Sequence, residues 1–82
     1  MLKKFNLLDL KPGEEAVISG FNNDFGDMER LRDLGLSNGA SVRFIKYAPF
    51  GDPIEIMIRG FHLSIHKSIA ENILIIKDEG IQ

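Results

Sequence analysis

Residues 42–60 read VRFIKYAPFGDPIEIMIRG. The second half alternates cleanly: Ile54, Ile56 and Ile58 fall on one face, and Glu55, Met57 and Arg59 on the other. A period of two is the signature of a half-buried strand. The first half carries the β-formers Val42, Phe44 and Ile45 beside Arg43 and Lys46. Its alternation is less clean, because Phe44 and Ile45 are adjacent and cannot share a face. Between the halves lies Ala48-Pro49-Phe50-Gly51-Asp52-Pro53, where two prolines and a glycine forbid regular structure. The stretch therefore predicts an antiparallel hairpin with a long, stiffened tip. Burial of the three isoleucines contributes roughly 1.5–3 kcal/mol each, which puts this ribbon at the centre of the core.

Working outward toward the N-terminus, Glu15 to Phe21 (EAVISGF) is a further strand. Val17, Ser19 and Phe21 are expected on one face, and Ala16 and Ile18 on the other. Gly20 inside it predicts a bulge or sharp bend. Leu7, Leu8 and Leu10, ahead of Lys11-Pro12-Gly13, are too short a run for a stable helix and read as an apolar plug for one end of the core. Asp27 is expected to N-cap a short helix over Met28 to Leu34, with Met28, Leu31 and Leu34 on one side. Gly35 then ends it, with Leu31 and Leu36 as the apolar pair of a Schellman cap. Ser37-Asn38-Gly39 turns the chain into the hairpin.

Beyond Gly60, Leu63 and Ile65 alternate with His62, Ser64 and His66, predicting a fourth strand. Lys67 to Asn72 has room for one helical turn, and Ile73 to Ile76 for a closing strand. Lys77 to Gln82 is expected to fray. Five short strands with one small helix predict a mainly β protein, a small partly open barrel whose closure removes aggregation-prone edges.

The 82 residues imply one domain spanning 1–82 with a modest core. There is no cysteine, which excludes disulfides and thiolate metal sites and suits a reducing compartment. The longest uninterrupted apolar run, Ile73 to Ile76, falls far short of the ~20 residues that span a bilayer. Met1-Leu2-Lys3-Lys4 imitates the start of a signal peptide, but Asn6 and Asp9 break the apolar run and no small-residue cleavage site appears. A cytoplasmic protein without membrane insertion is expected. The ten basic and twelve acidic residues are scattered, with Arg30 and Arg32 interleaved with Glu29 and Asp33. No basic stripe forms, which argues against nucleic-acid binding.

The run Arg30-Leu31-Arg32-Asp33-Leu34-Gly35-Leu36, then Gly39, Ala48-Pro49-Phe50-Gly51-Asp52-Pro53, Ile58-Arg59-Gly60 and Ala70-Glu71-Asn72-Ile73, resembles the FeoA family in order and spacing. The likeness runs from about Leu8 to Ile76. It implies an SH3-like β-barrel and a small cytosolic accessory to bacterial ferrous iron uptake. The implied partner is the cytosolic region of FeoB, the membrane permease with a G domain. His66 and Ile69 depart from the family pattern, where an arginine and a glutamate are expected.

The two histidines, His62 and His66, invite a metal reading because iron is the implied cargo. In a strand they share a face but stand about 13 Å apart at ~3.3 Å per residue, too far for one ion. Solvated surface histidines are the better reading, and no metal ligand or cofactor is assigned. Asp24, Asp27 and Glu29 form the densest acidic group, yet lack the full pattern of a calcium loop. Catalytic candidates are few. The serines lie in no nucleophile motif, and Gly35 ends a helix where a phosphate loop would begin one. Arg30, Arg32 and Arg59 qualify for an arginine-finger role only as exposed arginines, and pairing with Asp33 or Glu55 explains them as well. A non-enzyme is expected.

The aromatics offer more. Phe25 and Phe50 sit in loops flanked by Gly and Asp, and Met57 lies on the polar face of its strand. In an SH3-like barrel such loops flank the peptide-binding groove, so exposed aromatics there act as anchors. The contrary reading has both phenylalanines capping the open barrel ends. The candidate partner-binding set is Phe25, Met28, Pro49, Phe50, Asp52 and Met57. The resulting expectation is an adaptor that docks on the permease. A detached SH3-like module of an iron-dependent repressor and a transition-metal carrier are the alternatives. Oligomeric state is not legible.

Overall fold

The computed structural model describes residues 5–22 and 28–77. Six strands form one antiparallel sheet: β1 (Phe5–Asn6), β2 (Glu15–Phe21), β3 (Ser41–Tyr47), β4 (Ile54–Ile58), β5 (Phe61–Ile65) and β6 (Ile73–Lys77). Their order across the sheet is β1-β6-β2-β3-β4-β5. Two short helices, α1 (Met28–Asp33) and α2 (Lys67–Ala70), and a 3-10 turn at Leu7–Asp9 complete the described elements. The mainly β architecture is the one expected, with one more strand than the five anticipated, and the single turn for which Lys67 to Asn72 had room forms as α2. β1 escaped notice because two residues carry no period.

The central hairpin forms as its alternation requires. Ile54, Ile56 and Ile58 are wholly buried, while Glu55 and Met57 point outward and are half-buried. On β3, Val42 and Phe44 face the core. The adjacent Ile45 is accommodated by a bulge: Phe44 pairs with Ile56 and Lys46 with Glu55, leaving Ile45 as the extra residue. Beyond it Tyr47 pairs with Ile54, and its ring centroid lies 4.9 Å from that of Phe44. β4 ends at Ile58, one residue before the alternation does. Arg59 and Gly60, at φ +50° and +87°, make a two-residue turn instead of continuing the strand. Positive φ at both central residues is what the right-handed twist of a tight hairpin favours.

A second bulge changes the expected facing of β2. Ala16 and Ile18 are buried and Val17 and Ser19 exposed, as the alternation predicts. Ile18 then pairs with Ile75 and Gly20 with Leu74, so Ser19 is the extra residue. The inserted residue reverses the parity of everything after it. Phe21, expected beside Val17, turns inward opposite the buried Ile73 and packs against the core. Lys77, expected in a frayed tail, is the last residue of β6 and pairs with Ala16.

The core is completed from the ends of the sheet. Leu7 and Leu10 are buried, and the intervening turn carries a capping box in which Asn6 Oδ1 accepts from Leu8 N and Asp9 Oδ2 from Asn6 N, both at 2.8 Å. At the end of α1, Leu36 N donates to Leu31 O at 2.9 Å and Gly35 N to Arg32 O at 3.0 Å. These are the two bonds of a Schellman motif, and Leu31 and Leu36 are both buried behind it. The helix stops at Asp33, so Leu34 lies just past it and is half-buried. The Asp27 cap expected ahead of it lies outside the described residues.

Candidate docking surface

The hairpin tip is fastened by bonds within its own backbone and by a side-chain bond to the start of α2. Within it, Gly51 N donates to Ala48 O at 2.7 Å and Ala48 N to Pro53 O at 2.9 Å. From below, Asp52 Oδ1 accepts from Lys67 N at 3.0 Å, satisfying one of the amides left unpaired at the start of α2. The Lys67 ammonium in turn lies 5.3 Å from the Tyr47 ring centroid, a cation–π contact under the tip. These small fastenings leave one side chain entirely outside: Phe50 is 100% exposed. It does not plug the barrel. Pro49 beside it is exposed as well.

The rest of the expected partner-binding set does not converge there. Asp52 belongs to the tip, but its carboxylate is engaged with α2 and stands 3.6 Å from Nδ1 of His66. Met57 lies three strand steps from Ile54, about 10 Å toward the opposite end of the hairpin. There it lines a shallow groove of about 380 Å³ together with Ser41, Arg43, Arg59 and Gly60. Phe25 lies outside the described residues, and so does the side chain of Met28, whose backbone opens α1.

The histidines take separate carboxylate partners. His62 Nδ1 is 2.6 Å from Glu55 Oε2 across the β4–β5 ladder, and His66 pairs with Asp52. Among the described residues no group of three or more His, Cys, Asp and Glu side chains is placed to hold a metal ion. Asp24 and Asp27 of the acidic group lie outside the described residues. The contacts of Arg59 and Arg32 differ from the ion pairs expected. Glu55 is taken by His62, and Arg59 donates instead to Gly35 O at 3.3 Å and to Ser37 Oγ at 3.4 Å. Arg32 lies over the Phe21 ring, 5.6 Å from its centroid. This Arg59 contact was invisible in the sequence, because it joins a turn to a helix end 24 residues away.

Comparison with known proteins decides the family. The model of the FeoA domain matches residues 5–77. The chain belongs to the FeoA family. FeoA of Chlorobium tepidum, solved in solution, is similar at 33% identity over 95% of this chain and 74% of that one, with a TM-score of 0.86. FeoA of Stenotrophomonas maltophilia, solved with zinc and described as a procaryotic SH3 domain protein, matches at 23% identity over 87% of this chain and 88% of that one, TM-score 0.73. IdeR of T. acidophilum shares the fold at 22% identity, over 95% of this chain but 36% of that one, TM-score 0.81. No curated protein sequence matches the chain. The FeoA fold is thus SH3-like, and FeoA domains are associated with ferrous iron transport as accessories.

Proposed function

We propose that this FeoA protein is a cytosolic, non-enzymatic adaptor that docks on the FeoB permease through its hairpin tip and modulates the permease's assembly or turnover. The observation that carries this reading is the fully exposed Phe50 on a tip whose backbone is fastened. An aromatic side chain left in water gains from desolvation only when a partner covers it. Pro49 and Pro53 fix φ on either side, and the Asp52–Lys67 bond anchors the loop, so little further entropy is lost on docking. A cytosolic site of action agrees with the described residues, in which no helix is long and apolar enough to cross a membrane. The likeness to IdeR is one of fold at 22% identity and does not favour a regulatory module.

The test separates binding from folding. Phe50→Ala is expected to weaken binding to the cytosolic region of FeoB by ~1–3 kcal/mol, the loss typical of an interface anchor. Its melting temperature is expected to stay close to wild type, because Phe50 is wholly exposed and forms no part of the core. Unchanged affinity in a fully folded variant would place the docking surface elsewhere.

A further inference from the structure

We infer that the groove beside the Arg59-Gly60 turn is a second docking site, which takes an extended acidic segment of a partner protein and binds its side-chain carboxylate through Arg59. The first observation is conformational. A turn with positive φ at both central residues prefers Asn, Asp or Gly at the first of them, and this one holds Arg59 at φ +50°. An arginine there is locally unfavourable, and such departures concentrate where a side chain is needed for something else.

The second observation is how the side chain is held. Its stem passes over Gly35, so close that a Cβ on that glycine would lie 2.7 Å from Arg59 Cδ. Nε donates to Gly35 O and Nη2 to Ser37 Oγ, both neutral acceptors. A guanidinium has five N–H donors in a fixed fork, so three remain on the Nη1 and Nη2 side, the side that takes a carboxylate in bidentate fashion. Among the described residues no carboxylate pairs with Arg59. The positive charge is oriented in advance and left unneutralised.

The third observation is the groove itself. Two guanidinium groups, Arg43 and Arg59, line it with a single carboxylate, Glu15. Glu15 is already bonded to Arg43, whose Nε lies 3.0 Å from Oε2. The uncompensated potential is therefore positive and centred on Arg59, and an occupant of opposite charge is selected. Half-buried Met57 supplies an apolar wall next to that charge, and the Ser41 hydroxyl a polar one. An extended segment alternating acidic and apolar side chains matches this sequence of environments. The site lies at the opposite end of the hairpin from Phe50, so it stands independently of what the tip binds.

The test uses the whole protein, labelled with 15N, and two synthetic peptides blocked at both ends: Asp-Leu-Asp-Leu-Asp and Asn-Leu-Asn-Leu-Asn. The acidic peptide is expected to shift the amide signals of Ser41, Met57 and Gly60. The neutral peptide is expected to bind at least about tenfold more weakly, as is the acidic peptide to Arg59→Asn, in line with loss of a charge-assisted bond. Asn suits the turn, so a melting curve of R59N should show a folded protein. Should R59N melt too early to titrate, Arg59→Lys decides: it keeps the charge without the fork, and several-fold weaker binding supports the site. Equal affinity for both peptides, undiminished affinity in the folded variants, shifts confined to the tip, or no shifts in the wild type would each overturn it. The permease is absent from this experiment, so its outcome and that of the Phe50 test are read separately.

Discussion

Gly35 has φ +108°, a conformation that side-chain-bearing residues rarely adopt, and it lies beneath the Arg59 stem. Two independent constraints therefore act on the same atom, the Cβ that glycine lacks. Any side chain there must both strain the backbone and push Arg59 away from Gly35 O. Gly35→Val is expected to destabilise the protein by more than ~1 kcal/mol, the usual cost of a single substitution. Urea denaturation of the variant reads this directly, and a curve superimposable on wild type would remove the cap assignment. Half of the site was legible at this level. The Leu34-Gly35-Leu36 pattern announced the positive φ, because a Schellman cap is built from neighbours in sequence. The contact with Arg59 was not announced, because nothing near Gly35 in the chain encodes it.

The hairpin tip and α2 are joined as elements by a single carboxylate. A four-residue helix has too few internal bonds to persist alone, and its first N–H groups have no intrahelical acceptor. His66, at the N-cap position, makes no side-chain bond to them. Asp52 takes that role from 15 residues earlier, accepting from Lys67 N. Asp52→Ala is expected to cost about 1 kcal/mol of stability, as for loss of a cap. It is also expected to speed hydrogen exchange at Lys67 while leaving β2–β6 pairing protected. Exchange that is unchanged at Lys67 would show that α2 is held by Ala70 packing alone. Lys67 to Asn72 had room for a helical turn, but its capping partner came from a loop 15 residues earlier, which no local pattern links to it.

Across the whole molecule, neighbouring strands of the open sheet are tied together by contacts between distant parts of the chain. Glu14, just ahead of β2, accepts from Lys11 N at 2.8 Å and lies 3.6 Å from the ammonium of Lys77 at the end of β6. The Lys11 bond first, and to a lesser extent the Lys77 charge, hold the Glu14 carboxyl below its ordinary value of 4.5 against an opposing desolvation. A depressed carboxyl stabilises the fold above its unfolded pKa and loses that contribution as pH falls through the folded value. The window therefore opens near pH 4.5 and extends downward. Glu14→Gln is expected to melt below wild type at neutral pH, with the gap narrowing as pH drops through that window. Thermal melts at a series of pH values check this, and a gap that stays constant into strong acid would contradict it. The sequence by itself determined the central ribbon, the boundaries of β2, the Gly35 cap and the burial of the isoleucines, since all of these follow from periods and turn residues within a few positions. Only the tertiary structure decided that Ser19 and Ile45 are the bulged residues, that Phe21 turns inward, that Arg59 reaches Gly35 and that Phe50 is left in water. Each of these depends on register and reach between segments far apart in the chain, where one inserted residue reverses every facing after it and local pattern carries no information.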